Sequence, residues 1–419
     1  MQHQRTEKRA LFCTLFPDIG ARVHNRVNNC NKGPGTLQVR VGIDGLHLFG
    51  EYAGIKYSLA QTVTALRRFV PDDQIILYVP RDFKGPPSAN GDGGLIVKRT
   101  WFPGHWRTIR TLWRNFRLQD RTYADKCDLL HGPTYALPGL MSKPAVVTIH
   151  DVIAFTHPLF CTPGSARVQE RVIPRSVKSA RRIIVPSLAT KEEVLRNIKE
   201  ASEDRIDVVP WGVSSEFSPM TDSVERAKAR VALNLPERYI LFVGNIEPKK
   251  NIPALIQAFY AARMNKKLPH KLVLAGQMGW GMNGLDKLIR QHDARDFVYF
   301  TGYVPTAALR AIYSLAELFV LPSVVEGFGM PVLEAMACGC PVVCSSDAAL
   351  QEICGSAARI VPYDGTKPLQ PLRQAIEDML GDSAQRNELI KRGLERVKVF
   401  TWERTARLTR ETYEKALTQ

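Results

Sequence analysis

LFVLPSVVEGFGMPVLEAMACGCPVV, residues 318–343, reads as a strand, a glycine-bearing turn, a helix and a second strand. Pro331 suits a first helical turn, and Gly339, just ahead of Pro341, suits a helix end. Gly327 and Gly329 let the backbone come close to a ligand, and the helix start offers unsatisfied N–H groups and the positive end of its dipole to a phosphate. Glu326 on the turn and Glu334 early in the helix then bracket that start. Carboxylates accept paired hydrogen bonds from the vicinal hydroxyls of a ribose or hexose. Taken singly, Glu334 is equally a first-turn residue favoured by the dipole and Glu326 a solvated loop residue. Together with the glycines they favour a ligand.

Working outward, short β-branched runs alternate with amphipathic segments from Val39 onward, the pattern of parallel sheets with crossover helices. The first half offers strands at Val39–Ile43, Gln74–Val79, Leu129–His131, Ala145–Ile149, Ile183–Val185 and Ile206–Val209. The second half offers Tyr239–Val243, Lys271–Ala275, Phe297–Thr301, Leu318–Leu321 and Pro341–Cys344, with helices after Asn251, around Thr306 and at Pro331. Between them Trp211–Met220 (WGVSSEFSPM) lacks periodicity and reads as a junction. The expected division is a basic, loosely ordered extension over 1–37, Rossmann-like domains over 38–218 and 219–400, and a C-terminal helix over 401–419 that crosses back to the first domain. Such an α/β chain of 419 residues exceeds one growing core, and two doubly wound domains leave a ligand cleft between the carboxyl ends of their sheets.

The formal charge of +16 favours an anionic partner without choosing among nucleic acid, an acidic membrane surface and a phosphorylated small molecule. Eight cysteines without a preceding secretory core suggest free thiols in a reducing compartment. Cys338, Cys340 and Cys344 lack a completing ligand set and read as small buried thiols at a helix end, so no metal is expected there. Leu11–Phe16 is too short for a signal-peptide core, and elsewhere no apolar run reaches the roughly 18 residues a membrane span needs.

A wider set of segments resembles one family. GIDG near Asp44, Ala53-Gly54-Ile55, DLLHGPTYALP from Asp128, TIHD at His150, VPS ending at Ser187, VVPWGV ending at Val213, FVGNIEPKKN from Phe242, TGYV from Thr301 to Val304 and FTWERTA from Phe400 accompany the Glu326…Glu334 pair. In this order they resemble the family 4 retaining glycosyltransferases, with their E-x7-E signature and GT-B fold, and within it the bacterial mannosyltransferase-type group 1 enzymes. The resemblance implies that Glu334 holds the ribose hydroxyls and that Glu326 sits near a hydroxyl of the transferred sugar. Gly327, Phe328, Gly329 and Met330, leading into Pro331, would present N–H groups to sugar and phosphate. It makes Lys250 the diphosphate lysine, a cation placed where leaving-group charge develops. Asn251 reads as the N-cap of the following helix. Many members carry an arginine where this chain has Asn245, so a share of that load for Lys249 stays open, as does a merely solvated Lys-Lys pair. His150, at the end of a strand, would donate to the donor sugar or stabilise charge near its anomeric centre. Asp151 would hold the turn, Gly54 would approach the donor phosphates, and Val304 would line the donor site.

Gly279–Gly284 has dinucleotide-fingerprint spacing but stands too far from its strand and lacks the following acid, so it reads as a glycine-rich loop near the donor. From Lys98 to Arg121 seven basic residues accompany Asp120. Trp106, Ile109, Trp113 and Phe116 form one helical stripe flanked by Arg107, Arg110, Arg114 and Arg117. This suits an anionic bilayer, or equally a stripe packed into the first domain with solvated arginines. No nucleic-acid recognition motif accompanies the charge.

The resemblance thus implies a retaining hexosyltransferase that uses a nucleotide diphosphate sugar, GDP-mannose foremost, and a glycan or lipid-linked acceptor. It is expected in the cytoplasm or peripherally at the inner face of the cytoplasmic membrane. The chain contains no D-x-D motif, so neither metal nor cofactor is expected. The alternatives are a phosphorylase or epimerase of the same fold, and a non-catalytic basic binding protein.

Overall fold

A computed structural model describes residues 38–49, 54–84, 94–139, 141–282, 284–292, 294–362 and 369–418. The expected extension over 1–37, and Ala53 and Asn283 of the glycine loops, lie outside the described residues.

Two sheets carry the fold. The first contains β1 (Arg40–Asp44), β2 (Gln74–Val79), β3 (Leu95–Arg99), β4 (Leu129–Gly132), β5 (Ala145–Thr148), β6 (Arg182–Val185) and β7 (Ile206–Val208), in the order 3-2-1-4-5-6-7. The second contains β8 (Tyr239–Val243), β9 (Lys271–Ala275), β10 (Val298–Gly302), β11 (Leu318–Leu321), β12 (Val342–Ser345) and β13 (Arg359–Val361), in the order 10-9-8-11-12-13. Every pairing within them is parallel. Runs such as YILFV and LFVL are buried along their whole length because helices cover both faces. Burying one Val, Leu, Ile or Phe side chain contributes roughly 1.5–3 kcal/mol, and such residues fill the cores under both sheets.

Each sheet starts at its centre, winds to one edge and resumes on the other side of its first strand. Successive loops therefore diverge between β1 and β4, and between β8 and β11, and open a crevice at the carboxyl ends. The loop after β8 carries Lys249 and Lys250; the loop after β11 carries Glu326. His150 stands two residues past the end of β5.

Four expectations need correction. The edge strands β3 and β13 were not expected: one is half exposed and the other spans three residues, so neither shows a clear buried period. The helix that carries Glu334 begins at Met330 rather than Pro331, because Gly329, at φ 103°, turns the chain into it. Asn251 stands at the N-cap position of Ile252–Lys266, but in a left-handed conformation and with no side-chain cap bond.

The fourth concerns the basic aromatic helix, Arg107–Phe116. Arg114 is buried in an ion pair with Asp44 at the end of β1. Arg110 donates to the Gly104 carbonyl at 2.6 Å and lies over the Phe49 ring. Trp113 packs against Phe102 and Tyr78. Two of the arginines and one tryptophan of the stripe therefore face inward. Trp101 (65% exposed), Trp106 (43%), Leu112 (51%) and Phe116 (70%) face out.

After the second sheet the chain returns to the first. Helix Trp402–Thr418 lies along helix Ile55–Phe69 and buries Ala406, Tyr413 and Ala416 among Val41, Leu129, Val146 and Ile184. The Tyr413 hydroxyl meets His131 Nδ1 at 2.8 Å, and Thr405 donates to the Pro210 carbonyl at 2.8 Å.

Candidate active site

Lys250 and Glu326, on the two loops that flank the switch point of the second sheet, meet in a buried ion pair. Burial alone would raise the Glu326 carboxyl, but the ammonium groups of Lys250 and Lys249 outweigh it and hold the group below the usual carboxylate range. Burial likewise opposes the charge on Lys249, and the carboxylates of Glu326, Asp151 and Glu247 reverse that effect and keep it protonated. Lys249 Nζ stands 3.7 Å from Glu247. The bland alternative of a solvated Lys-Lys pair and a solvated loop glutamate does not describe this geometry: Lys250 and Glu326 are desolvated and mutually neutralised.

Glu334 is buried in the first turns of its helix and accepts a 2.9 Å bond from the Tyr313 hydroxyl. Burial pushes its carboxyl up to about 7, with Tyr313 acting in the other direction. Tyr57, in the first turn of Ile55–Phe69, lies near the same carboxylate: burial and then Glu334 raise its hydroxyl. The Gly54 that starts this helix adopts φ 54°.

His150 is enclosed. Its Nε2 lies 2.7 Å from the Pro133 carbonyl, which only accepts, so Nε2 carries the hydrogen. Burial lowers the ring's proton affinity, and Nδ1 is left as a buried lone pair with no partner among the described residues. The ring thus turns an unpartnered acceptor nitrogen, not a donor, away from Pro133. Tyr135 and Trp211 flank the ring at centroid distances of 5.2 Å, and Trp211 in turn meets Phe328 at 5.1 Å. Asp151 holds its turn as expected, accepting from Ile153 N at 3.2 Å and from the Tyr135 hydroxyl at 2.9 Å.

The glycine turn joins the two halves. A Cβ on Gly327 would run into the His150 carbonyl, so only glycine lets the loop settle there. Gly327 O accepts from Ser187 Oγ at 2.9 Å and from Thr190 Oγ1 at 3.0 Å. The Gly327, Phe328 and Gly329 N–H groups take no hydrogen bond among the described residues. Asp347, half-buried and pushed up to about 6 chiefly by desolvation, accepts from Glu326 N at 3.3 Å while capping helix Ala348–Cys354. Pro331 sits in the first turn of the helix that carries Glu334, and Asn245 is exposed beyond β8. Val304 packs on the core of the second sheet. Gly279 N donates to Ile246 O at 2.9 Å, placing that glycine loop against the lysine-bearing one.

Sequence reasoning missed Tyr57, Tyr313, Asp347 and Thr190. Asp347 carried a signal, an Asp directly ahead of a helical run. The roles of Tyr57, Tyr313 and Thr190 depend on neighbours far away in the chain and carried none.

Two family models divide the chain between them: "Glycosyltransferase Family 4" matches residues 53–217 and "Glycosyl transferases group 1" matches 223–396. An O-antigen chain mannosyltransferase B from Escherichia coli is 32% identical over 295 residues, covering 70% of this chain and 75% of that protein. The chain belongs to glycosyltransferase family 4. The serotype-specific mannosyltransferase WbdA of E. coli is 33% identical over 56% of this chain, which spans 29% of that longer relative. Among solved structures, the sucrose-phosphate synthase of Thermosynechococcus elongatus superposes with a TM-score of 0.72 at 22% identity, over 90% of this chain and 98% of that one. The enzyme is thus a group 1 glycosyltransferase with the GT-B fold expected from its sequence.

Proposed function

We propose that this glycosyltransferase moves mannose from GDP-mannose to a hydroxyl of a glycan or lipid-linked acceptor, with retention at the anomeric carbon and without a metal ion. The buried Lys250–Glu326 pair, on the loops that lead toward the helix carrying Glu334, carries the reading. A diphosphate entering the crevice replaces the Glu326 carboxylate as the partner of Lys250 and frees that carboxylate to accept from a sugar hydroxyl. The free N–H groups of Gly327 to Gly329 and the start of the helix they lead into add fixed positive potential where the leaving diphosphate gains charge. Glu334, already bonded to Tyr313 through one oxygen, has the other for the ribose.

In the proposed reaction the bond from the anomeric carbon to the diphosphate oxygen breaks. The acceptor oxygen attacks from the same face, and its proton passes to the departing phosphate. No enzymic carboxylate serves as nucleophile, unlike retaining glycosidases, whose two carboxylates stand about 5 Å apart. Supporting mannose are the mannosyltransferase names of the relatives. The O-antigen relative supports a glycan acceptor.

The enzyme is further proposed to work in the cytoplasm, peripherally at the inner face of the cytoplasmic membrane. No helix among the described residues is long and apolar enough to cross a membrane. The docking face is the exposed set Trp101, Trp106, Leu112 and Phe116 edged by Arg107, Arg117 and Arg121, not the stripe read from the sequence.

Incubation with GDP-mannose, GDP-glucose and UDP-glucose in excess EDTA tests the donor reading. Turnover confined to GDP-mannose, with the α-anomer as the first product seen by proton NMR, is expected. Turnover that prefers a UDP-sugar, or first yields the β-anomer, would overturn the assignment.

A further inference from the structure

The donor loop is held in a closed ring of contacts that crosses between the two sheets. Helix Leu188–Asn197, which follows β6, presents its first N–H groups to the second half of the molecule. The Glu352 carboxylate answers them like a fork: Oε1 accepts from Leu188 N at 2.9 Å and Oε2 from Ala189 N at 3.0 Å. A carboxylate at a helix start gains from both the charge-assisted bonds and the dipole. Arg396 fixes the other side of this junction by donating to the carbonyls of Glu352 and Ile353 at 2.7 and 2.9 Å.

The same helix start holds the loop itself. Ser187 Oγ accepts from Thr190 N at 3.0 Å, and its one hydroxyl proton faces both Gly327 O at 2.9 Å and Thr190 Oγ1 at 3.0 Å, while Thr190 Oγ1 donates to Gly327 O at 3.0 Å. The two hydroxyls thus converge on that carbonyl. Because the trans peptide is planar, the Phe328 N–H points opposite to the Gly327 carbonyl. Two hydroxyls from the first half therefore set the direction of an N–H in the second. Asp347 closes the ring, accepting from Glu326 N at the start of the helix that ends beside Glu352.

We propose that Glu352, Ser187 and Thr190 are positioning residues: a clasp, made only when the two halves meet, that fixes the Glu326–Gly329 loop in its working geometry. The clasp couples closure of the crevice to assembly of the site, so that open molecules bind nucleotide but do not transfer sugar. It rests on reading that loop as the cradle of the donor sugar.

The test uses the full chain and three variants. Thr190→Val removes one donated bond at similar volume and leaves the Ser187 cap in place, Thr190→Ser keeps the hydroxyl, and Glu352→Gln sets an amide N–H against a backbone N–H. Turnover of GDP-mannose in EDTA is expected to fall about tenfold in kcat for Thr190→Val. The Kd for GDP should stay within about twofold, and Thr190→Ser should recover the wild-type rate. Small-angle scattering of ligand-free Glu352→Gln is expected to give a larger radius of gyration than wild type. The proposal fails if Thr190→Val and Glu352→Gln both match wild type in kcat and radius, or if Thr190→Ser loses as much as Thr190→Val, which would assign the loss to packing. Wild type that leaves GDP-mannose intact, while Glu352→Gln still opens, sustains the clasp and removes only the donor assignment.

Discussion

At Lys250 an ammonium group has left water to meet Glu326, and neither is stable there alone. Removing one partner of a buried pair strands the other charge at a cost of about 3–5 kcal/mol, whereas replacing both is often neutral. Lys250→Met is therefore expected to destabilise the enzyme and abolish transfer. Lys250→Met with Glu326→Gln should recover most of the stability and none of the activity, as read by urea unfolding beside turnover. Glu334 makes a pH prediction. Burial raises its carboxyl from 4.5 to about 7, so the folded chain holds this proton longer than the unfolded one. Its contribution to stability is then greatest at low pH and declines as pH rises through that window. In the proposed ribose role binding has the opposite slope, because only the ionised carboxylate would accept from both hydroxyls. Affinity for GDP should rise between about pH 6 and pH 8 and then level off. Glu334→Gln should lose this slope while keeping whatever part belongs to the phosphates, and should weaken binding by about 1.5–3 kcal/mol. Calorimetric titrations of both proteins across that range check it.

Among the elements, the glycine turn and the basic helix test packing against function. Gly327→Ala sets a methyl group against the His150 carbonyl and must push the halves apart, so turnover should fall much further than the melting temperature does. In helix Arg107–Phe116 the two faces should separate cleanly. Arg114→Ala leaves Asp44 buried and unpaired, and is expected to cost about 3–5 kcal/mol in unfolding experiments with little change in vesicle binding. Phe116→Ser on the exposed face should weaken co-sedimentation with anionic vesicles and leave stability unchanged. Stability lost on Phe116→Ser, with no vesicle binding by the parent enzyme, would make this a packing face. This helix also shows where sequence reading ends. Helical spacing grouped Trp106, Ile109, Trp113 and Phe116, but the inward face is the one that brings Arg114 to Asp44 at the end of β1, distant in the chain. The central strands and the Glu326…Glu334 pair were legible because their apolar runs and glycine spacing are local. The edge strands β3 and β13 were not, since a short strand paired on one side needs no buried period. Nor was the Glu352 fork, which caps a helix from across the crevice.

For the molecule as a whole, the last helix belongs to the first sheet's core although it ends the chain. Truncation after Phe400 would expose the faces of Val41, Leu129 and Val146 that Ala406 and Tyr413 cover, and leave His131 without its Tyr413 partner. The first half should then unfold at markedly lower temperature, seen as a split or early calorimetric transition. Charge organises the rest: a chain of net charge +16 places two lysines and a helix start at its crevice, and the proposed function uses them on a diphosphate without a metal. The most direct test of that account is the binding of GDP-mannose by wild type, Lys250→Met and Glu334→Gln, titrated in excess EDTA and again with magnesium. The account predicts wild-type binding that is indifferent to magnesium and is weakened at least tenfold by either substitution. Binding that requires magnesium, or that survives both substitutions unchanged, would contradict it.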